Sequence, residues 1–119
     1  MLNSTLELVV NNDSKWRYQI VDFFGNLDSY SLKEKRSKLF EIVNNADKEY
    51  LVFNFQNLNF INSECISLLL QFNDILRLKD KKLVIMSAKK NVVDVLEVIG
   101  VFQTMPYFKS ISDFTNSIL

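Results

Sequence analysis

The chain is 119 residues long, with fourteen basic and fourteen acidic side chains, no histidine, one cysteine, two glycines and one proline. Zero formal charge removes the basic footprint with which nucleic-acid binders hold phosphates, and the missing histidine removes Ser-His and Cys-His nucleophile pairs, the imidazole base and imidazole metal ligands. Two glycines cannot build a G-x-G-x-x-G or phosphate-loop cradle, and Cys65 alone makes neither an internal disulfide nor a thiolate zinc site, so the composition points to a non-enzymatic, cofactor-free, intracellular chain.

At the N-terminus, MLNSTLELVV lacks the basic start and long apolar stretch of a signal peptide. Leu6, Leu8 and Val10 alternate with polar neighbours and predict a strand. Asn11, Asn12, Asp13 and Ser14 form a turn cluster. Trp16, Tyr18 and Ile20 then alternate with Arg17 and Gln19, and the apolar run continues through Val21, Phe23 and Phe24 to a stop at Gly25. The pair reads as an antiparallel hairpin, with Trp16 and Tyr18 in the core or on a sheet face.

From Ser31 the period becomes helical. Leu32, Leu39, Phe40, Val43 and Ala46 share one stripe, Lys33, Glu34 and Lys35 belong to a solvated face, and Ser31 with Glu34 forms an S-x-x-E capping box. Tyr50, Leu51, Val52, Phe53 and Phe55 make a nearly continuous apolar run, which predicts a central strand covered on both faces. A connection follows, in which Phe60, Ile61 and Asn62 lead to Ser63 at the entrance of a helix over 64–78 carrying Ile66, Leu69, Leu70, Phe72, Ile75 and Leu76.

The lysines at 79–82 complete a helix end, and Leu83, Val84, Ile85 and Met86 form a short buried strand. The next helix has Asn91 as cap candidate, an apolar face of Val92, Val95, Leu96 and Ile99, and Gly100 as left-handed terminator. Residues 105–108 predict a last strand, confined to a sheet edge by Pro106. Ser110 with Asp113 opens a final helix carrying Ile111, Phe114 and Ile118. No apolar run approaches the roughly 20 residues that a membrane-spanning helix requires. No repeat or linker divides the chain, so 1–119 reads as one soluble α/β domain: an N-terminal hairpin, then alternating strands and helices in a mixed sheet with parallel right-handed crossovers and about four helices.

Two segments carry more than fold information: Gly25, Asn26, Leu27 and Asp28 closing the second strand, and Phe60, Ile61, Asn62, Ser63, Glu64 and Cys65 entering the long helix. Together they resemble the STAS domain of anti-sigma-factor antagonists, whose corresponding turns read G-x-L-D and F-h-D-S-x-G, with h apolar. The element order matches over nearly the whole chain, and Gly100, Val101 and Phe102 stand where that family has a G-h-F stretch. The resemblance places Ser63 on the family's phosphorylated serine, Asn62 on the acidic residue before it, Asp28 on the turn aspartate and Cys65 on the glycine. It implies an STAS-type sandwich and a cytoplasmic, bacterial partner-switching regulator, a monomer or weak dimer without membrane insertion. Its unmodified form would bind a serine-kinase-type anti-sigma factor through Asn26, Asp28, Asn62, Ser63, Glu64, Cys65 and Ser67. Phosphorylation of Ser63 would break that complex and a phosphatase would restore it.

Each of these residues also has a plainer role. Ser63 suits a helix N-cap, Asn62 and Asp28 suit turns, and Cys65 suits packing. The neutral Asn62 and the side chain at Cys65 depart from the family pattern and motivate an alternative: an STAS adaptor or structural subunit without a phosphorylation cycle, for example in a transport complex. A carboxylate enzyme or small-ligand binder using Asp28 or Glu64 is the third reading.

Overall fold

A computed structural model describes residues 4–11 and 17–119. The chain runs β1 (Leu6–Val10), β2 (Tyr18–Leu27), α1 (Ser29–Asn44), β3 (Tyr50–Ile61), α2 (Ser63–Arg77), β4 (Lys82–Met86), α3 (Lys90–Ile99), a 3-10 turn (Val101–Gln103), β5 (Tyr107–Phe108) and α4 (Ile111–Ser117). The five strands form one sheet in the order β1-β2-β3-β4-β5. β1 is antiparallel to β2 and the remaining pairs are parallel. The fold is the mixed α/β sandwich that the sequence predicts, with β3 central and β5 at an edge. Most of the predicted hairpin turn, and Trp16, lie outside the described residues.

β1 pairs Leu6 with Gly25 and Val10 with Val21, so Leu6, Leu8, Val21 and Phe23 all turn inward and are buried. There they meet Leu51, Phe53 and Phe55 of β3, Leu39 and Val43 of α1, Ile66, Leu69, Phe72 and Leu76 of α2, and Val92 and Leu96 of α3. The opposite, outer face carries a smaller core of Tyr18, Val52, Val84 and Met86 under Phe114 of α4. Phe114 packs edge-on against Tyr18 at 5.2 Å and Tyr50 at 5.4 Å between ring centroids, a geometry favoured by the aromatic quadrupole. Arg17 ties the end of α4 down by donating to the Ile118 carbonyl and to Glu49.

Several predicted boundaries are corrected. β2 does not stop at Gly25 but continues to Leu27. Gly25 has φ +116, and a Cβ there would overlap the Thr5 carbonyl oxygen, so the glycine serves close approach of β1 at a bulge rather than chain reversal. β3 runs through Ile61, leaving no separate connection before α2, because the long β2 pairs with it up to Leu27 opposite Ile61. Register shifts between Asp22 and Phe24 and between Gly25 and Asn26 break the twofold alternation that would have marked this extension in the sequence. Met105 is a buried core residue outside β5, and the strand itself is Tyr107–Phe108.

The helix starts also differ. The capping box of α1 is Asp28 with Ser31, not Ser31 with Glu34, so Ser31 is a buried third residue of the helix. Lys89 is the N-cap of α3 and makes no side-chain capping bond, its ammonium donating instead to Asn59 Oδ1, while Asn91 donates its side-chain amide to the Asn59 carbonyl at 2.9 Å. Val95 and Ile99 of α3 are exposed, because Val92 and Leu96 alone face the sheet. Leu70, on the predicted apolar stripe of α2, is half-buried, as is Val93 of α3. Gly100 terminates α3 at φ +87, and Ser110 caps α4 by accepting from Asp113, both as predicted.

Candidate functional site

The two strands that outrun the rest of the sheet set the site. β4 pairs with β3 from Tyr50 to Asn54, so residues 55–61 project beyond β4 with only β2 alongside. The adjacent ends of β2 and β3 then release α1 and α2 from the same edge, and the Asn62 amide donates to the Leu27 carbonyl at 3.1 Å.

Each helix start is closed by its own side chain. Asp28 Oδ1 accepts from the amides of Tyr30 and Ser31, both at 3.0 Å, and Ser31 Oγ accepts from the Asp28 amide at 3.1 Å while donating to the Asn26 carbonyl at 2.7 Å. Asn62 Oδ1 accepts from the Cys65 amide at 3.0 Å. These bonds satisfy donors that a helix start otherwise leaves orphaned. A cross-tie joins the two starts: Ser29 Oγ donates to Glu64 Oε1 at 2.7 Å. Ser4 donates to Asp28 and accepts from the Asn26 side-chain Nδ2 at 3.2 Å, which draws the beginning of the described chain into the same corner.

Asn62 therefore takes the N-cap position expected of Ser63, because its carboxamide oxygen reaches the third amide of the helix. Ser63 becomes the first residue of α2, exposed, and its hydroxyl bonds to no described residue. The free positive end of a 15-residue helix lies beneath it. Ser67, one turn on and exposed, donates to the Ser63 carbonyl at 3.3 Å.

Electrostatics separate Asp28 and Cys65 at this corner. Burial by itself raises the Asp28 pKa, but the bonds from Ser4 and from the Ser31 and Tyr30 amides outweigh it and hold the carboxyl below its usual range. Cys65 is 1% exposed, and burial, with the charges of Glu64 and Asp28 adding to it, pushes its thiol up to about 11. It is a packing residue and a protonated thiol, not a nucleophile.

Of the sequence-predicted site residues, Asn26, Asp28, Asn62, Ser63 and Glu64 converge on this corner, Ser67 lies beside it, and Cys65 turns inward. Sequence reasoning missed Ser4 and Ser29, which bond to the site across 24 and 35 residues and stand in no motif. Beside the site, a shallow cleft of about 240 Å3 between α1 and α2 is lined by Ser29, Leu32, Lys33, Arg36 and Glu64. A wider cleft of about 450 Å3 opens at the other end of α2 around Asn73, Arg77 and Thr104, far along the helix from Ser63. Among the described residues, no helix is long and apolar enough to cross a membrane.

The family description that matches the chain is the STAS domain, over residues 9–114. No curated protein matches by sequence. Three similar solved structures are the anti-sigma factor antagonist SpoIIAA in its unphosphorylated form, at 16% identity and TM-score 0.74, covering 94% of this chain and 96% of that one; an anti-sigma factor antagonist from Mycobacterium paratuberculosis, at 14% and 0.81, covering 95% and 93%; and the Bacillus cell fate determinant SpoIIAA in its phosphorylated form, at 15% and 0.67, covering 95% and 100%. At these identities the structures establish a common fold.

Proposed function

The chain belongs to the STAS domain family, and on that premise we propose that it is a cytoplasmic, non-enzymatic regulator of the anti-sigma-factor-antagonist type. It binds a serine-kinase-type anti-sigma factor through the corner formed by Asn26, Asp28, Asn62, Ser63, Glu64 and Ser67. Phosphate transfer to Ser63 ends that binding, and a phosphatase restores it.

The observation that carries this reading is the exposed, unbonded hydroxyl of Ser63 at the first position of α2, left free because Asn62 does the capping. A phosphate there meets free amides and the positive end of the helix dipole, so the modified form keeps its fold. It adds about 1.5 to 2 negative charges beside Glu64 and Asp28, enough to expel a surface fitted to the bare hydroxyl. SpoIIAA, with the same fold, has been solved in both phosphorylated and unphosphorylated forms, which supports modification without refolding. Nucleotide and magnesium belong to the kinase in this scheme.

The test is phosphopeptide mapping of protein from its native cells with and without phosphatase, followed by binding of Ser63→Ala and Ser63→Asp to the kinase. Phosphate on Ser63, tight binding by the alanine variant and weak binding by the aspartate variant are expected. Equal affinities, or a Ser63 never modified, would overturn the switch in favour of a constitutive STAS adaptor.

A further inference from the structure

The sheet ends in two unlike edges. β5 is two residues long and follows Pro106, which makes it a poor template for another strand. β1, at the opposite edge, has five residues and neither proline nor bulge. Its hydrogen-bond phase is fixed at both ends: the Asn26 amide donates to the Thr5 carbonyl and the Asn11 amide to the Ile20 carbonyl, both at 2.9 Å. In this antiparallel register residues 5, 7, 9 and 11 bond to β2. The amides and carbonyls of Leu6, Leu8 and Val10 therefore turn away from β2, toward the open side, in the kind of row on which a further strand can pair.

Two lysines of α1 fence this row. Leu6 and Leu8 are buried on the inner face with Leu39 and Val43 of α1, and by alternation Glu7 and Val9 stand on the outer face. Lys38 donates to the outward carbonyl of Leu8, at the middle of the strand, at 3.4 Å, and among the described residues it has no carboxylate within ion-pair distance. Lys35 reaches Glu7 at 4.0 Å. Because α1 lies on the inner side and Glu7 on the outer, that ion pair passes around the edge. We infer that β1 is a self-association edge, and that Lys38, with the Lys35–Glu7 pair beside it, holds the edge shut and keeps the chain monomeric. The strand excluded is that of a second copy, because the edge matches itself. A two-fold axis at Leu8 sets the two Leu8 residues opposite each other and Leu6 opposite Val10 of the second copy, so that outward amides and carbonyls meet in both directions and the apolar inner faces run on. The same axis places Glu7 opposite Val9 on the outer face. It also brings the two Lys38 ammoniums together, since each sits on the carbonyl nearest the axis. Pairing then breaks both lysine bonds and juxtaposes like charges.

The test is sedimentation equilibrium of the full-length chain at increasing concentration, with circular dichroism melts to establish that each variant folds. Wild type is expected to stay monomeric. Lys38→Met, which keeps the apolar stem and removes the ammonium, is expected to self-associate about tenfold or more tightly; should it fail to fold, Lys38→Gln serves as the readout. Adding Val9→Glu to Lys38→Met is expected to return the monomer, because it sets a carboxylate opposite Glu7 twice across the axis. Lys79→Met, which removes a lysine that donates to the Asn44 carbonyl away from this edge, is expected to stay monomeric. A wild type that dimerises with Lys38 in place, or a Lys38→Met chain that stays monomeric, overturns the guard. Dimerisation of Lys79→Met equal to that of Lys38→Met would assign the effect to lost charge in general, and a Lys38→Met dimer indifferent to Val9→Glu overturns pairing through β1.

Discussion

The outer face of the sheet has two halves with the same kinds of residue and opposite fates. In one half Tyr18, Val52, Val84 and Met86 lie under Phe114 and form a dry core, closed by α4 and fastened by Arg17. In the other half Phe24 and Phe60 stand in water among Glu7, Asp22 and Asn57. Strand and helix lengths account for the difference: β3 has 12 residues against 5 in β4, and α4 has only 7. A helix of that length rises about 10 Å, which covers one half of the face and leaves the other bare. An aromatic residue in a strand is thus structural or available to a partner according to what lies over it.

The sharpest way to break this contrast is to remove one phenylalanine from each half. Phe114→Ala empties the centre of the covered half and is expected to cost about 3–5 kcal/mol in denaturant unfolding, whereas Phe60→Ala, which loses a ring already half in water, is expected to cost less than about 1 kcal/mol. Equal losses would show that the bare half is part of the core.

Gly25 tests the scaffold of the bare half. Gly25→Ala places a side chain at positive φ and against the Thr5 carbonyl, so a loss of about 2–3 kcal/mol is expected. Because the strain falls where β1 crosses β2, hydrogen exchange should rise first in the amides of β1 and the end of β2. Uniform loosening of both halves would contradict the division.

Asp28 gives a smaller effect than Gly25, and it depends on pH. Its folded pKa is depressed below the usual 3.8, so the cap contributes fully above that value and is lost as pH falls through the folded pKa. Asp28→Ala is expected to cost about 1 kcal/mol at neutral pH. The gap between variant and wild type should close on the acid side of pH 4, and a gap that persists there would assign the effect to packing.

Much of the fold was legible along the chain. Periodicity located β1 and the helices, because each buries one repeating set of side chains, and continuous apolar runs located β3 and β4, which are covered on both faces. Gly100 and Ser110 marked helix ends through local backbone chemistry that needs no distant partner. The ends of β2 and β3 were not legible, since two bulges interrupt their alternation and only strand pairing carries them to Leu27 and Ile61. The exposure of Val95 and Ile99 was hidden too, because a helical stripe gives spacing and not the width of the surface it meets.

The site divides in the same way. The residue types of the two turns, with Ser63 at a helix start, are properties of the sequence, since capping and turn formation act over a few residues. Which side chain takes the cap, which hydroxyl stays free, and the meeting of Ser4, Ser29 and Glu64 across the corner were decided by the tertiary structure. So was the bare half of the sheet face, because exposure depends on whether a distant element reaches far enough to cover a strand.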